Sequence, residues 1–339
     1  MKILVLGGSG YIGKRFTDLL RDTAWAKPVA ASRGYMQGSG AAVDVVRVDT
    51  CDLVALTGAL QGFDAVVNCV AGDARSIAIG SGVLVQAALA VRCPRIIHLS
   101  TMAVYGALEG LIHEDAEVNA ATGWYGRAKC QAETHMAEFA RGGGEVVTLR
   151  PGCVFGPGSE LWVGRVGRWL HSGRLGDLGI AGDGWSNLVH IDDVCRALMA
   201  ALQLPVQRGE LPVFNLAAPD SPRWNDYFVD LSLEIKATPV RRIVRRQLEL
   251  DARLLSPPLK IAEKVFKYLG ASTSPLPDPM PAGLLRLWAQ HIRLDAALAV
   301  QKLGLAWTPY TAGLTSSAGW FSGEGAGRAR SSGNTACTL

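Results

Sequence analysis

The first thirteen residues restrict the folds open to this chain more than any other stretch. Met1–Leu6 (MKILVL) is a short apolar run suited to a strand buried on both faces. Gly7, Gly8, Ser9, Gly10, Tyr11, Ile12 and Gly13 follow at once, and Lys14–Arg21 continues as the first turns of a helix. Strand, glycine turn and helix in this order form the context in which a backbone cradles a dinucleotide pyrophosphate. Gly7 lets the chain turn tightly off the strand. Gly10 presents no side chain to an approaching anion, and Gly13 lets the helix lie close to the sheet. The free N–H groups at the helix start and the helix dipole favour the same anion. The spacing is G-x-x-G-x-x-G rather than G-x-G-x-x-G.

At 339 residues the chain has room for a large α/β domain with a smaller lobe. Its net charge of +4, from 34 basic and 30 acidic residues, is too mild to imply nucleic acid as a partner. The cysteines at positions 51, 69, 93, 130, 153, 195 and 337 form no C-x-x-C pair. Most sit in apolar runs, so buried reduced thiols and a cytoplasmic setting are expected. The N-terminus does not resemble a signal peptide. No apolar run reaches the roughly 18 residues of a membrane span, so none is expected.

Strands are expected at Lys27–Ala31, Val43–Val48, Ala65–Val70, Ile96–Leu99 and Glu145–Leu149, with helices at about Asp52–Gln61, Ser76–Val91 and Gly123–Arg141. Gly34–Ala42 reads as a polar, glycine-rich loop. This alternation predicts an α/β fold with a doubly wound parallel sheet of Rossmann type. The dinucleotide-binding core is expected over residues 1–150, with 187–217 returning to it. Beyond it, Ser159–Gly173 reads as a helix with Trp162 and Trp169 on one face, and Asn187–Ile191 as a short strand. Asp192 and Asp193 are read as caps of a helix over Val194–Leu202, and Pro212–Leu216 as a seventh strand. Residues 151–186 and 218–322 are read as a substrate-binding lobe, and 323–339, rich in glycine and serine, as a disordered tail.

Two strand ends bear on cofactor choice. Ser32 and Arg33 stand where an NAD site carries Asp or Glu for the ribose hydroxyls. Arg33 cannot accept those hydrogen bonds, but its guanidinium can pair with a 2′-phosphate and Ser32 can donate beside it, which favours NADP over NAD. Asp49, at the end of the third strand, can accept from the adenine amino group or cap a nearby helix turn.

Tyr125 and Lys129 are four residues apart, so they share one face of the predicted helix. A phenol with a pKa near 10 is a poor base at neutral pH. A neighbouring ammonium favours the phenolate, which then exchanges a proton with a substrate hydroxyl or carbonyl during hydride transfer. Thr101, at the end of the fifth strand, can hold the reacting oxygen, with Ser100 as its neighbour and rival.

Six ordered stretches, GGSGYIG (7–13), DAVVNCVAG (64–72), HLSTMAVYG (98–106), YGRAK (125–129), LRPGCVFGPG (149–158) and NLVHIDDV (187–194), resemble the extended short-chain dehydrogenase/reductase superfamily of the NAD-dependent epimerase/dehydratase type. LGLAWTPYTAGL (303–314) resembles its closing helix and turn. The resemblance implies hydride transfer with NAD(P), a small-molecule substrate, usually a homodimer, and catalysis by Thr101, Tyr125 and Lys129. The cofactor contacts expected are Gly7, Gly10, Tyr11, Ile12 and Gly13; Ser32 and Arg33; Asp49 and Thr50; Cys69, Val70 and Ala71; Leu99; Tyr125 and Lys129; and Pro151, Cys153 and Val154.

The departures concern substrate. Members acting on nucleotide sugars carry an arginine four positions before the histidine that aligns with His190; here that position is Ser186. Ile77 stands where some members have asparagine. DGWSNLVHIDDV and the amphipathic Leu259–Leu269 look more like the hydroxysteroid-dehydrogenase and carbonyl-reductase branches. A carbonyl or secondary alcohol on a small or medium organic molecule is therefore the favoured substrate, with a sugar epimerase or dehydratase and a non-catalytic dinucleotide sensor as alternatives. Trp124, Trp185 and Ser186 are candidate substrate contacts, although such tryptophans commonly serve packing. Arg241, Arg242, Arg245 and Arg246 can meet an anionic substrate or a membrane surface; a solvated face beside Glu249 and Asp251 is favoured. No metal-ligand set with credible spacing is present, because Asp192 and Asp193 near His190 read as helix-start caps.

Overall fold

The computed structural model describes residues 1–34, 44–119, 123–268 and 276–325. In chain order, the first elements are β1 (Lys2–Leu6), α1 (Tyr11–Arg21), β2 (Lys27–Ser32), β3 (Asp44–Arg47), α2 (Leu53–Ala59), β4 (Ala65–Asn68), α3 (Ala74–Val91) and β5 (Arg95–Leu99). They are followed by β6 (Gly110–Ile112), α4 (Trp124–Arg141), β7 (Glu145–Pro151), β8 (Cys153–Phe155), α5 (Val166–His171), β9 (Leu188–His190), α6 (Ile191–Gln203) and β10 (Val213–Leu216). The chain then runs through α7 (Trp224–Glu234), α8 (Arg245–Leu250), α9 (Ser256–Tyr268), α10 (Ala282–Ala289), β11 (Ile292–Leu294), α11 (Ala297–Leu303) and α12 (Tyr310–Trp320).

Seven strands form one parallel sheet in the order β10-β7-β5-β4-β1-β2-β3. β1 shows why the sheet is covered twice. Ile3 and Val5 join the core shared with α1 and α6, and Leu4 and Leu6 join the core shared with α2, α3 and α4. All four are buried, as the continuous apolar run requires of a strand with helices on both faces. The strand order reverses at β1, which lies between β2 and β4, so a crevice opens beyond the carboxyl ends of these strands.

β4 stops two residues earlier than its apolar run suggests. The Asn68 carboxamide oxygen accepts the Val70 N–H at 3.2 Å, and the chain leaves the ladder there. α6 also differs from expectation. Its N-cap is His190, whose Nδ1 accepts the Asp192 N–H at 3.3 Å. Asp192 and Asp193 sit in the first turn and reach other elements: Asp192 pairs with Arg15 of α1 at 2.7 Å, and buried Asp193 takes the Thr308 N–H and hydroxyl. The predicted helix over 159–173 is a wide helical turn at 160–165 followed by α5.

α3 corrects the expectation that no segment has the length and composition of a membrane span. It has 18 residues and a mean hydropathy of 1.5, enough by those two criteria alone. It packs between α2 and α4, and Leu84, Val85, Ala87 and Ala88 are buried against the sheet, so its apolar character is that of a core helix.

A second core lies beyond the carboxyl edge of the sheet. Trp169, Trp224, Tyr227, Phe228 and Trp288 are fully buried in it, with Trp224 and Phe228 stacked at 5.7 Å and Trp162 against Trp224 at 5.1 Å. β8 pairs with β9 and β6 with β11, and Asn187 links the two: its Nδ2 donates to the Ile292 carbonyl at 2.8 Å and its Oδ1 accepts the Leu294 N–H at 2.8 Å. The tail expected over 323–339 falls largely, and the loop expected over 34–42 almost wholly, outside the described residues.

Candidate active site

A cleft of about 1480 Å³ runs from the glycine turn to the second core. At its sheet end the chain leaves β1 through Gly7, whose φ of +76° is a left-handed conformation open to glycine. A Cβ there would stand 2.8 Å from the Cys69 carbonyl, and one at Gly13 would press into the Gly7 carbonyl. Side chains are excluded at both positions because β1, β4 and α1 converge there. Gly10 caps α1 without a side-chain acceptor, and Gly7, Gly10, Tyr11, Ile12 and Gly13 all line the cleft. A narrow all-backbone turn ending in an open helix start fits a pyrophosphate.

Ser32 and Arg33 line the same end. The Ser32 hydroxyl lies 2.9 Å from that of Ser9. Arg33 is half exposed, donates to the Ser76 hydroxyl at 3.2 Å and stands 3.5 Å from Asp73, the N-cap of α3. Thr50 lines the cleft, with its hydroxyl against Gly80 of α3. Asp49 does not. Its carboxylate takes the Cys51 N–H at 3.0 Å in a local turn, and the cap of α2 is Asp52.

Cys69, Val70, Ala71, Leu99, Pro151, Cys153 and Val154 form the middle of the cleft. Burial pushes the Cys69 thiol up to about 12, so it stays protonated. Lys129 enters from α4. Its side chain is buried, and its ammonium donates to the Leu99 carbonyl at 2.6 Å and the Val70 carbonyl at 3.1 Å, bridging the ends of β4 and β5. Burial, reinforced by that ammonium, holds neighbouring His98 well below the ordinary imidazole range.

Tyr125 precedes Lys129 by one helical turn and lines the cleft, with its ring edge-on to Trp124 at 5.8 Å. Thr101 lines it as well, and its hydroxyl oxygen accepts the Ala103 N–H at 3.2 Å. The Ser100 hydroxyl is committed elsewhere: it donates to Glu133, which leaves Thr101 as the hydroxyl at this strand end.

Glu133 and Arg150 were not among the expected residues. Glu133 lies four residues after Lys129 and eight after Tyr125, so one face of α4 carries all three. That spacing was the available signal. Arg150 binds Glu133 through two N–H groups, at 2.7 and 3.1 Å, and donates to the Tyr105 hydroxyl at 2.9 Å and the Glu114 carbonyl at 3.0 Å. Burial opposes its charge, and the Glu133 carboxylate more than offsets this, leaving the guanidinium pKa raised. Tyr105 continues the network to Asn215 of β10 at 2.7 Å.

At the far end, Trp124, Leu161, Trp162, Leu287 and Trp320 give an apolar wall, and Arg286 and Glu109 supply charge. Two expected substrate contacts are not there. Trp185 stacks with the guanidinium groups of Arg223 and Arg293, 4.8 and 4.6 Å from its ring centroid. Ser186 is fully buried and bonded to the Ser221 hydroxyl and the Pro222 carbonyl. Both belong to the segment that leads from α5 into β9, packed against the start of α7. Among the described residues no group of three or more His, Cys, Asp or Glu side chains is placed to hold a metal.

Comparison with known proteins follows the same lines. Protein YeeZ of Escherichia coli strain K12 is 32% identical over 151 residues, 44% of this chain and 49% of that protein, so the chain spans about half the length of that curated relative. A dTDP-glucose 4,6-dehydratase of Streptomyces niveus is 28% identical over 240 residues, 60% of this chain and 69% of that protein. Among solved structures, MoeE5 in complex with UDP-glucuronic acid and NAD superposes with a TM-score of 0.70 at 22% identity, covering 94% of this chain and 98% of that one. UDP-glucuronic acid 4-epimerase from Bacillus cereus in complex with NAD gives 0.69 at 18% identity, covering 95% and 98%. These superpositions show a shared fold. The sequence profile of one family matches residues 3–217, which include the glycine turn and the Tyr125–Lys129 face. This chain belongs to the NAD dependent epimerase/dehydratase family.

Proposed function

We propose that this protein moves hydride at a secondary alcohol or carbonyl carbon of a nucleotide-linked sugar, as an epimerase or dehydratase. The observation that carries this is the size of the cleft. A single-ligand pocket measures roughly 300–1,000 Å³. At about 1480 Å³, continuous from the glycine turn to Trp320, the cleft has room for a dinucleotide and a second large molecule end to end. Arg286 supplies positive charge at the substrate end for a diphosphate, and the sequence relative from Streptomyces niveus is named for a nucleotide sugar. In this reading Thr101 orients the reacting oxygen and Tyr125 exchanges its proton. Buried Lys129 favours the phenolate and holds the cofactor ribose. NAD(P), when bound, supplies the hydride acceptor and donor. The six free cysteines among the described residues suit a reducing cytoplasm, and the reading includes a homodimer.

The test is a panel of UDP- and dTDP-sugars with either nicotinamide nucleotide, followed by NMR of the sugar. An epimerised or dehydrated sugar without net change in nicotinamide absorbance is the expected result. Ser186, in place of the diphosphate-binding arginine, and the apolar wall favour a second reading, reduction of free carbonyl compounds. Net oxidation of the reduced nucleotide by aldehydes or ketones, with every nucleotide sugar untouched, would establish that reading instead.

On cofactor choice we propose NADP ahead of NAD, because no acidic side chain follows β2 and Arg33 lines the cleft there. Arg33→Asp is expected to weaken NADP binding about tenfold or more while NAD changes little, since charged hydrogen bonds contribute about 1.5–3 kcal/mol each. Titration calorimetry with both nucleotides measures this. Equal losses for both would remove Arg33 from the cofactor site.

A further inference from the structure

The segment 241–268 carries eight basic and three acidic residues, a net charge of +5 in a chain whose total is +4. The rest of the molecule is close to neutral, so the excess positive charge resides in one segment. It runs from residues 241–244 into α8, a wide turn at 251–255, and α9, and the helical part, 245–268, holds six basic and three acidic residues, a net +3. Its inner face is tied to the second core. Leu248, Ala252 and Ser256 are buried, Asp251 takes two N–H groups of Arg174 at 2.6 and 2.8 Å, and the Ser256 hydroxyl accepts the Met280 N–H at 2.7 Å.

A solvated helix would turn polar side chains outward from such an anchor. This one does not. Leu250, Leu254, Ile261 and Val265 recur at intervals of four, seven and four, the spacing of one helix face. They are 47%, 65%, 65% and 47% exposed, and Leu255 and Val244 are exposed beside them. Arg246, Arg253 and Lys264 are exposed at helical spacing along one flank of this stripe. Arg245 is paired with Glu249 at 2.8 Å, and Arg242 is paired with Asp177. Apolar side chains clustered outward are costly in water, and a row of exposed cations borders them, of which Arg253 also feels the charge of Glu249.

We infer that α8 and α9 dock this protein on an anionic phospholipid surface. The apolar stripe sinks to the headgroup–acyl boundary, and Arg246, Arg253 and Lys264 meet lipid phosphates beside it. Charge selects this occupant. A second copy of the same face would bring a net +3 over residues 245–268 against a net +3. α10, which lines the cleft, packs on α8, so docking would set the cleft mouth beside the bilayer.

The experiment is co-sedimentation of the full chain with extruded vesicles of phosphatidylcholine alone or of phosphatidylcholine and phosphatidylglycerol in equal parts. Binding to the anionic vesicles alone is expected, weakening as salt rises. Arg246→Gln and Arg253→Gln should each weaken partitioning about fivefold. The exposed double substitution Leu254→Ser/Ile261→Ser should weaken it about tenfold or more, with unchanged thermal unfolding and unchanged elution on gel filtration. Three results would each overturn the inference: no binding to anionic vesicles, equal binding to neutral ones, or binding indifferent to the Leu254/Ile261 pair. A shift to smaller size in the double variant, together with absent vesicle binding, would give the face to a second copy instead. None of these readouts depends on turnover, so they stand apart from the proposed reaction.

Discussion

Tyr125→Phe is expected to lower kcat by about 10²–10⁴-fold, the contribution of a positioned acid–base group. The substitution removes one oxygen and keeps the ring, so the edge-on contact with Trp124 at 5.8 Å survives. Lys129 keeps its bonds to the Leu99 and Val70 carbonyls, which come from the strand ends and not from the phenol. Cofactor affinity, measured by quenching of protein fluorescence, should therefore change by less than about threefold, as for a surface-level change of a few tenths of a kcal/mol. A variant that turns over normally, or that loses cofactor affinity in step with rate, would take the proton transfer away from Tyr125.

The second large effect concerns stability. Glu133→Ala strands the Arg150 guanidinium among Tyr105, the Glu114 carbonyl and the strand ends, where its side chain is 7% exposed and that of Glu133 only 12%. Removing one partner of a buried ion pair costs about 3–5 kcal/mol, because the other charge remains without its counterion. The midpoint of urea unfolding should fall accordingly, with little change in slope. Activity should fall as well, though less than for Tyr125→Phe. Ser100 donates to the same carboxylate, and Thr101 beside it depends on that strand end for its position. Glu133→Gln keeps the shape and the acceptor oxygen, and a partial recovery of the midpoint is expected. A Glu133→Ala protein as stable as the parent would show that the network carries no net stability.

Much of the sheet was legible from local pattern. β1, β2, β5 and β7 stand within a residue or two of the apolar runs that announced them. A strand buried on both faces has no polar interruptions, and a glycine turn has no sterically permissible substitute at Gly7 or Gly13. The Tyr125–Lys129 face needed helical periodicity alone. Asp49, Trp185 and Ser186 were misplaced for one reason: each was assigned by its neighbours along the chain, and each side chain found a partner elsewhere. Asp49 turned to the Cys51 N–H, Trp185 to two arginines, and Ser186 to Ser221. Asp192 and Asp193 had the composition of caps, but His190 reached the free N–H first.

The sequence by itself determined the βα alternation of the parallel core and the glycine cradle, because alternation, apolar runs and the absence of a Cβ act over a few residues. Tertiary structure alone decided which side chains share the cleft. Arg286 and Trp320 line the same cleft as Tyr125 across more than a hundred and fifty residues of chain, and Arg150 meets Glu133 only once α4 lies on β7. It also decided that the cationic α8–α9 segment turns leucines outward: the helical repeat fixes which residues share a face, while packing chooses the face that is buried.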